Sequence, residues 1–199
     1  KGSGLDLQHQ KEGTYAGPDV ELGRAFDRKT DVISAYKGSG FHYLYNVERD
    51  TNPPSGFTLE WRIRDTWKVL ASPEDIRLRF TMLTQTDEVA LADGKPARNK
   101  PGNPESLRYI IARRSGNVSD DLESRFVSLI EPYKDSSRIT DVKLLRTSYE
   151  EKEASHGRRK ETLKTGRPAP NADFDAAAVK VTLEDGRIDF IVYSTCPEY

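Results

Sequence analysis

The sequence predicts an all-β chain folded as a two-layer antiparallel β-sandwich. Three observations lead there. Apolar residues recur with a period of two, an Asp-Gly pair separates two alternating runs near the C-terminus, and amphipathic helical spacing is almost absent. Side chains on a strand alternate between its two faces, so this period puts a core on one side and water on the other. About eight strands fit the chain, enough for two packed sheets.

From the N-terminus, the first expected strand is Phe41 to Val47, where Phe41, Tyr43, Tyr45 and Val47 alternate with His42, Leu44 and Asn46. The turn-forming run Asn52-Pro53-Pro54-Ser55-Gly56 closes it and leads to an adjacent strand. That strand, Phe57 to Trp67, is the clearest: Phe57, Leu59, Trp61 and Ile63 share one face and Thr58, Glu60, Arg62 and Arg64 the other. Ile76 to Met82 repeats it, with Ile76, Leu78, Phe80 and Met82 opposite Arg77, Arg79 and Thr81. Leu107 to Arg114 and Arg125 to Ile130 carry apolar residues on both faces, which fits burial beneath a second layer, and Pro132 is expected to end the latter. Val179, Val181 and Leu183, then Asp185-Gly186, then Ile188, Phe190 and Val192 form a hairpin with an expected type I′ turn. Two stretches fall outside the core. Asp93 to Pro104, with two glycines and three prolines, is expected to be a surface loop. Ser148 to Ala172, nearly all charged or small, is expected to be a mobile excursion, because no apolar stripe would dock a helix there.

The 199 residues, 35% hydrophobic and 32% charged, are expected to form a single domain spanning 1–199. Folding a chain of this length buries roughly 70% of its unfolded surface. Mean hydropathy is -0.74, and no apolar run reaches the ~18 residues that a membrane-spanning helix needs. The 31 basic and 32 acidic side chains leave a net charge of -1, whereas nucleic-acid binding usually demands a positive excess. Neither nucleic acid nor a membrane is therefore an expected partner. A single cysteine, Cys196, makes no intramolecular disulfide and no thiolate metal cage. With Lys1 first and Met82 the sole methionine, the chain is expected to be a fragment of a longer one.

The three histidines, His9, His42 and His156, show no metal-ligand spacing, so no metal or cofactor is expected. His42, among aromatic residues, is expected to be a hydrogen-bonded structural side chain, and His156 a solvated one. No nucleophile elbow occurs, and Gly38-Ser39-Gly40 lacks the third glycine and the following helix of a dinucleotide loop. No catalytic residue is assigned. The candidate binding residues are Arg62, Arg64, Arg77 and Arg79, which would project from one sheet face if their two strands pair. Guanidinium groups there suit a carboxylate or sulfate, as on an acidic sugar. Neutralisation of that face by Glu48, Glu60 and Asp65 is the competing reading, and cross-strand charge pairing favours it. The run Arg158-Arg159-Lys160 is expected to be solvated. Tyr36, Trp67 and Tyr133 either stack on sugar rings or belong to the core.

Longer strings add a resemblance. Tyr109-Ile110-Ile111-Ala112-Arg113-Arg114, then Phe126-Val127-Ser128-Leu129-Ile130-Glu131-Pro132-Tyr133, then Ile139-Thr140-Asp141-Val142 resemble the C-terminal sandwich of heparinase II/III-like proteins. Phe41 to Val47, Arg79 to Leu83 and Asp185 to Asp189 fit the same frame, so the resemblance covers most of the chain. It implies a supersandwich-like fold, a missing N-terminal α/α toroid as partner, and a periplasmic or extracellular location. It also implies a parent enzyme that cleaves acidic polysaccharide by β-elimination, using a Tyr/His acid-base pair. No catalytic or metal-holding residue carries over. The chain lacks the family's His-Asn-Thr-Val-type string, and Ser55-Gly56-Phe57-Thr58-Leu59-Glu60-Trp61 stands where relatives often have His-x-Tyr-x-x-His-Gly. The expected function is that of a non-catalytic supporting sandwich with acidic polysaccharide as a partner. The alternatives are a self-sufficient carbohydrate-binding module and a purely structural or oligomerisation domain.

Overall fold

The computed structural model describes residues 2–23, 36–96, 100–117, 119, 122–146 and 176–194. The expected charged excursion 148–172, with His156 and the Arg158-Arg159-Lys160 run, lies outside the described residues, as does Cys196. Within them the chain is all-β. The strands are β1 (Gly2–Ser3), β2 (Gln8–His9), β3 (Tyr45–Asp50), β4 (Thr58–Arg62), β5 (Ile76–Met82), β6 (Glu88–Gly94), β7 (Leu107–Arg113), β8 (Ser128–Lys134), β9 (Ile139–Leu145), β10 (Ala176–Leu183) and β11 (Ile188–Ser194). They belong to two compact units, one of Lys1–Glu123 and Ser128–Asp135, the other of Ser124–Val127 and Ser136–Tyr199.

The first unit is a sandwich of two four-stranded antiparallel sheets, ordered β1-β4-β5-β8 and β2-β3-β6-β7. Its core joins Phe57, Leu59 and Met82 from the first sheet to Val89 and Leu91 from the second, with Leu5, Leu7, Trp61, Phe80, Ile110 and Ala112 packed around them. Full burial of a side chain such as Phe57 is worth roughly 1.5–3 kcal/mol. The alternation of Phe57, Leu59 and Trp61 with Thr58 and Glu60 is thus the sandwich's inward face meeting its outward one.

β6 departs from that pattern because Glu88 to Ala92 is buried throughout. Val89 and Leu91 enter the inter-sheet core, whereas Ala90 and Ala92 join Tyr15, Val47, Leu44 and Ile111 on the sheet's other face. A polar cluster fastens Tyr15 there. Its hydroxyl donates to Glu88 Oε1 at 3.0 Å, and Arg49 donates to the same oxygen at 3.0 Å and to the Tyr15 carbonyl at 2.7 Å. The Arg49 guanidinium also lies 4.3 Å from the Tyr15 ring centroid. Burial, then the Glu88 charge, pushes the Tyr15 phenol above its usual range.

Several boundaries differ from expectation. β5 falls where the alternation puts it, and β7 covers the expected Leu107 to Arg114 less its last residue, with Leu107 and Tyr109 exposed and not buried beneath a second layer. Phe41 to Leu44 is not strand: Gly40–Tyr43 is a 3₁₀ turn and β3 begins at Tyr45. His42 is buried in that turn, with Nδ1 3.2 Å from the Ser39 carbonyl and its ring 4.0 Å from that of Tyr43, so aromatic packing produced the apparent alternation. β3 and β4 are not neighbours, because the Asn52–Gly56 turn carries the chain from one sheet to the other. Asp93 and Gly94 belong to β6, so the expected loop starts two residues later, and its residues 97–99 lie outside those described. Pro132 does not end a strand but sits within β8, opposite Leu78. β8 is an edge strand, where a residue lacking N–H is tolerated on the open side.

The second unit contains an antiparallel sheet ordered β11-β10-β9, and the Arg125 guanidinium donates to the Ala176 carbonyl. β10 alternates, with Ala177, Val179 and Val181 buried. Its turn to β11 is not type I′. Gly186 N–H donates to the Leu183 carbonyl at 3.0 Å and Leu183 N–H to the Arg187 carbonyl at 2.9 Å, closing a three-residue loop with Gly186 at φ 84°. Only the glycine takes a left-handed conformation, as in a type I turn followed by a bulge. β11 lies at the sheet edge and exposes Phe190, Ile191, Val192 and Tyr193.

Glu88 is 6% exposed, so truncating its main cation strands a buried carboxylate. Arg49→Ala is expected to lower unfolding stability by about 2–3 kcal/mol, and Arg49→Lys to recover only part of it because a point charge cannot reach both acceptors. Urea denaturation at pH 7 measures both, and equal stability of Arg49→Ala and wild type contradicts the role given to this cluster.

Candidate functional site

The register of β4, β5 and β8 decides what the four arginines do. Glu60 faces Arg79, Arg79 faces Glu131, Arg62 faces Arg77, and Arg77 faces Tyr133. These side chains share the sheet face opposite the core, so charges of opposite sign alternate across three strands in the row Glu60, Arg79, Glu131, while Arg62 and Arg77 meet as like charges in the next. Arg79 contacts Glu60 at 3.1 Å and Glu131 at 3.8 Å, and its guanidinium lies 5.1 Å from the Tyr133 ring centroid. Arg77 contacts Glu60 at 2.8 Å and Asp75 at 3.1 Å, while the Tyr133 hydroxyl donates to Glu60. Arg77 and Arg79 are therefore built into a salt-bridge lattice. Glu60 lies at its centre, and the Tyr133 hydroxyl, followed by Arg77, lowers its pKa to about 2.

The neutralising acids are not all those expected. Glu60 is one, but Asp75 and Glu131 are the others. Glu48 lies in the second sheet and pairs with Arg108. Asp65 lies in the β4–β5 connection, where its carboxylate accepts the backbone N–H groups of Val69 at 3.0 Å and Leu70 at 2.8 Å. Those bonds, that of Leu70 first, hold its carboxyl below the usual range.

Arg62 and Arg64 are arranged differently. Arg62 ends β4, its side chain is 70% exposed, and its ion pair is with Asp75 at 3.3 Å. The Asp75 oxygen it approaches accepts no directed hydrogen bond, so charge alone holds this contact. Arg64 is not on the sheet face. It lies past the end of β4, exposed, with no side-chain hydrogen bond or ion pair among the described residues. Both line a cleft of about 760 Å³ with Ile63, Asp65, Lys68 and the run Leu70 to Glu74. Lys68 is a third cation there, also without a side-chain partner among the described residues. The cleft thus combines three cations with Asp65, already committed to backbone N–H groups, and Glu74, which pairs with Lys134 at 3.0 Å. Its chemistry suits a carboxylate or sulfate on a solvated ligand.

The three aromatic candidates also separate. Tyr36 packs on His42, with ring centroids 4.9 Å apart. Tyr133 belongs to the lattice. Trp67 alone of the three is strongly exposed, at 58%, in the β4–β5 connection. Among the described residues no group of three or more His, Cys, Asp or Glu converges as metal ligands would. Lys68 escaped the sequence reading because it lies outside any alternating run, and Asp75 because it precedes its strand by one residue.

Comparison of the chain with protein-family models, with curated proteins and with solved structures finds no match.

The lattice has a signed pH dependence. Glu60 is held near 2 in the fold and lies in the ordinary carboxylate range when unfolded, so its stabilisation is complete above that range and is lost as pH falls towards 2. Glu60→Gln is expected to cost about 1–2 kcal/mol at pH 7, as charge-assisted bonds become neutral ones. It is also expected to flatten the decline in urea midpoint between pH 5 and pH 3. Parallel pH profiles for the two proteins contradict the assignment.

Proposed function

We propose that this chain is the non-catalytic C-terminal β-sandwich of a heparinase II/III-like lyase, supporting an α/α toroid that carries the acid and base of β-elimination. We further propose that it contacts acidic polysaccharide at the end of its first sheet through Arg62 and Arg64. The carrying observation is the division of the arginines: Arg77 and Arg79 are each engaged by two acids among Glu60, Asp75 and Glu131, whereas Arg62, with its single exposed pairing to Asp75, and Arg64 line an open cleft with Lys68. The strings Tyr109 to Arg114, Phe126 to Tyr133 and Ile139 to Val142 support the lyase context by their resemblance to that family's sandwich. Solvated cations attract a polyanion in a salt-dependent way and offer little to a neutral glycan.

The exposed apolar residues of β11 favour a second reading, an oligomerisation domain that never meets sugar. Calorimetric titration with uronic-acid and neutral oligosaccharides at two salt concentrations separates the readings. Saturable binding of the acidic ligand alone, weakened by salt and by the double substitution Arg62→Ala/Arg64→Ala, is expected. Absence of acidic-glycan binding, together with concentration-dependent sedimentation, overturns this reading in favour of the second.

A further inference from the structure

We infer that the β4–β5 connection is a preformed sugar platform, on which the Trp67 indole stacks against a pyranose ring while Lys68 takes a carboxylate or sulfate of the same chain. This rests on the acidic-glycan reading above and adds the residue that would bind the ring and the turn that holds it.

The two tryptophans have opposite environments: Trp61 packs against the inter-sheet core, whereas Trp67 stands 58% exposed. An indole left open in this way forgoes the burial that usually governs aromatic placement. Its backing is specific. A methyl group placed on Gly102 would stand 3.2 Å from Cε3, 3.3 Å from Cδ2 and 3.5 Å from Cζ3 of the indole. Cδ2 belongs to the ring fusion, so an approach along the ring edge would reach the outer carbons well before it. Near-equal distances place Gly102 over the ring plane. Gly102 also has φ 92°, a backbone conformation that side chains disfavour. The Gly102 backbone therefore lies behind one face of the indole, in a space that a side chain would crowd, as a platform for a flat apolar sugar face requires.

The turn carrying Trp67 is braced from within. Thr66 N–H donates to the Arg64 carbonyl at 3.0 Å, and the Asp65 carboxylate holds the N–H groups of Val69 and Leu70. Lys68, between them, has φ 53°, an uncommon conformation for a long side chain that persists only where its surroundings fix it. The result places a cation of the cleft one residue from the indole. The indole stands outside the lining of the cleft, one residue from its cation Lys68; adjacent Cα atoms are about 3.8 Å apart, which keeps ring and ammonium within the span of a short oligosaccharide. Ile63, at 44% exposure, and Val69, at 81%, add apolar surface to the same connection.

Indole fluorescence read during titration with a uronic-acid oligosaccharide tests the platform. A saturable change is expected in wild type and should vanish in Trp67→Ala, whose affinity read by calorimetry should fall about tenfold. Trp67→Phe should retain part of the affinity. Gly102→Ala, which pushes on the ring without touching any cation, should weaken binding as well. Unchanged urea midpoints for Trp67→Ala and Trp67→Phe would confirm that an exposed ring and not the fold has been altered. Full-strength binding by Trp67→Ala overturns the platform while leaving glycan binding through Arg62 and Arg64 intact, and failure of wild type to bind overturns both.

Discussion

Burial of both faces of β6 is the constraint on which the first unit depends. Val89 and Leu91 need the opposing sheet, and Ala90 and Ala92 need a cover on the outer side. A strand of this kind cannot serve a sheet with one wet face. The N-terminal segment supplies the cover through Tyr15, and Arg49 and Glu88 provide the polar bonds that let a tyrosine pack among small side chains. Alanine at both outward positions leaves the room that the phenol ring occupies. The two layers and the cover are thus consequences of one short run, Val89-Ala90-Leu91-Ala92.

Register, more than composition, assigns work to the charged side chains. Four arginines alternating along two strands suggest one continuous basic face. Pairing places Glu60 and Glu131 on either side of Arg79 and brings Asp75 to Arg77, which consumes the centre of that face. What stays accessible is where pairing stops. Arg62 is the last residue of β4, and Arg64 and Lys68 lie in the connection beyond it. A sheet whose central row alternates in charge therefore leaves its accessible cations at its end and not over its surface.

The fold class was legible because the strongest strands are half-buried, and half-burial writes a period of two: Ile76 to Met82 was delimited to the residue. β6 was illegible for the opposite reason, since burial on both faces erases the alternation. His42 shows how packing among aromatics imitates a strand, here in a 3₁₀ turn. Pro132 misled because its cost depends on whether a strand lies at an edge, a property of the whole sheet. At the candidate site, the arginines and the choice between engagement and availability were visible. The partition between them was not, because Asp75 and Glu131 acquire their roles only through the pairing of β4, β5 and β8. Trp67 was visible as an aromatic residue, but its support by Gly102 spans 35 positions that no local pattern links.

The path of the chain between the two units governs how this protein is made and how it can be divided. Ser124–Val127 belongs to the second unit, β8 returns to the first, and the chain from Ser136 onward belongs to the second again. During synthesis, the first sheet lacks its β8 edge until residues 128–134 have left the ribosome, after a stretch destined for the other unit has already emerged. No single cut releases both units whole, and a chain ending after Glu123 would leave β5 without its β8 partner. The two units are therefore interleaved along the chain and not set end to end.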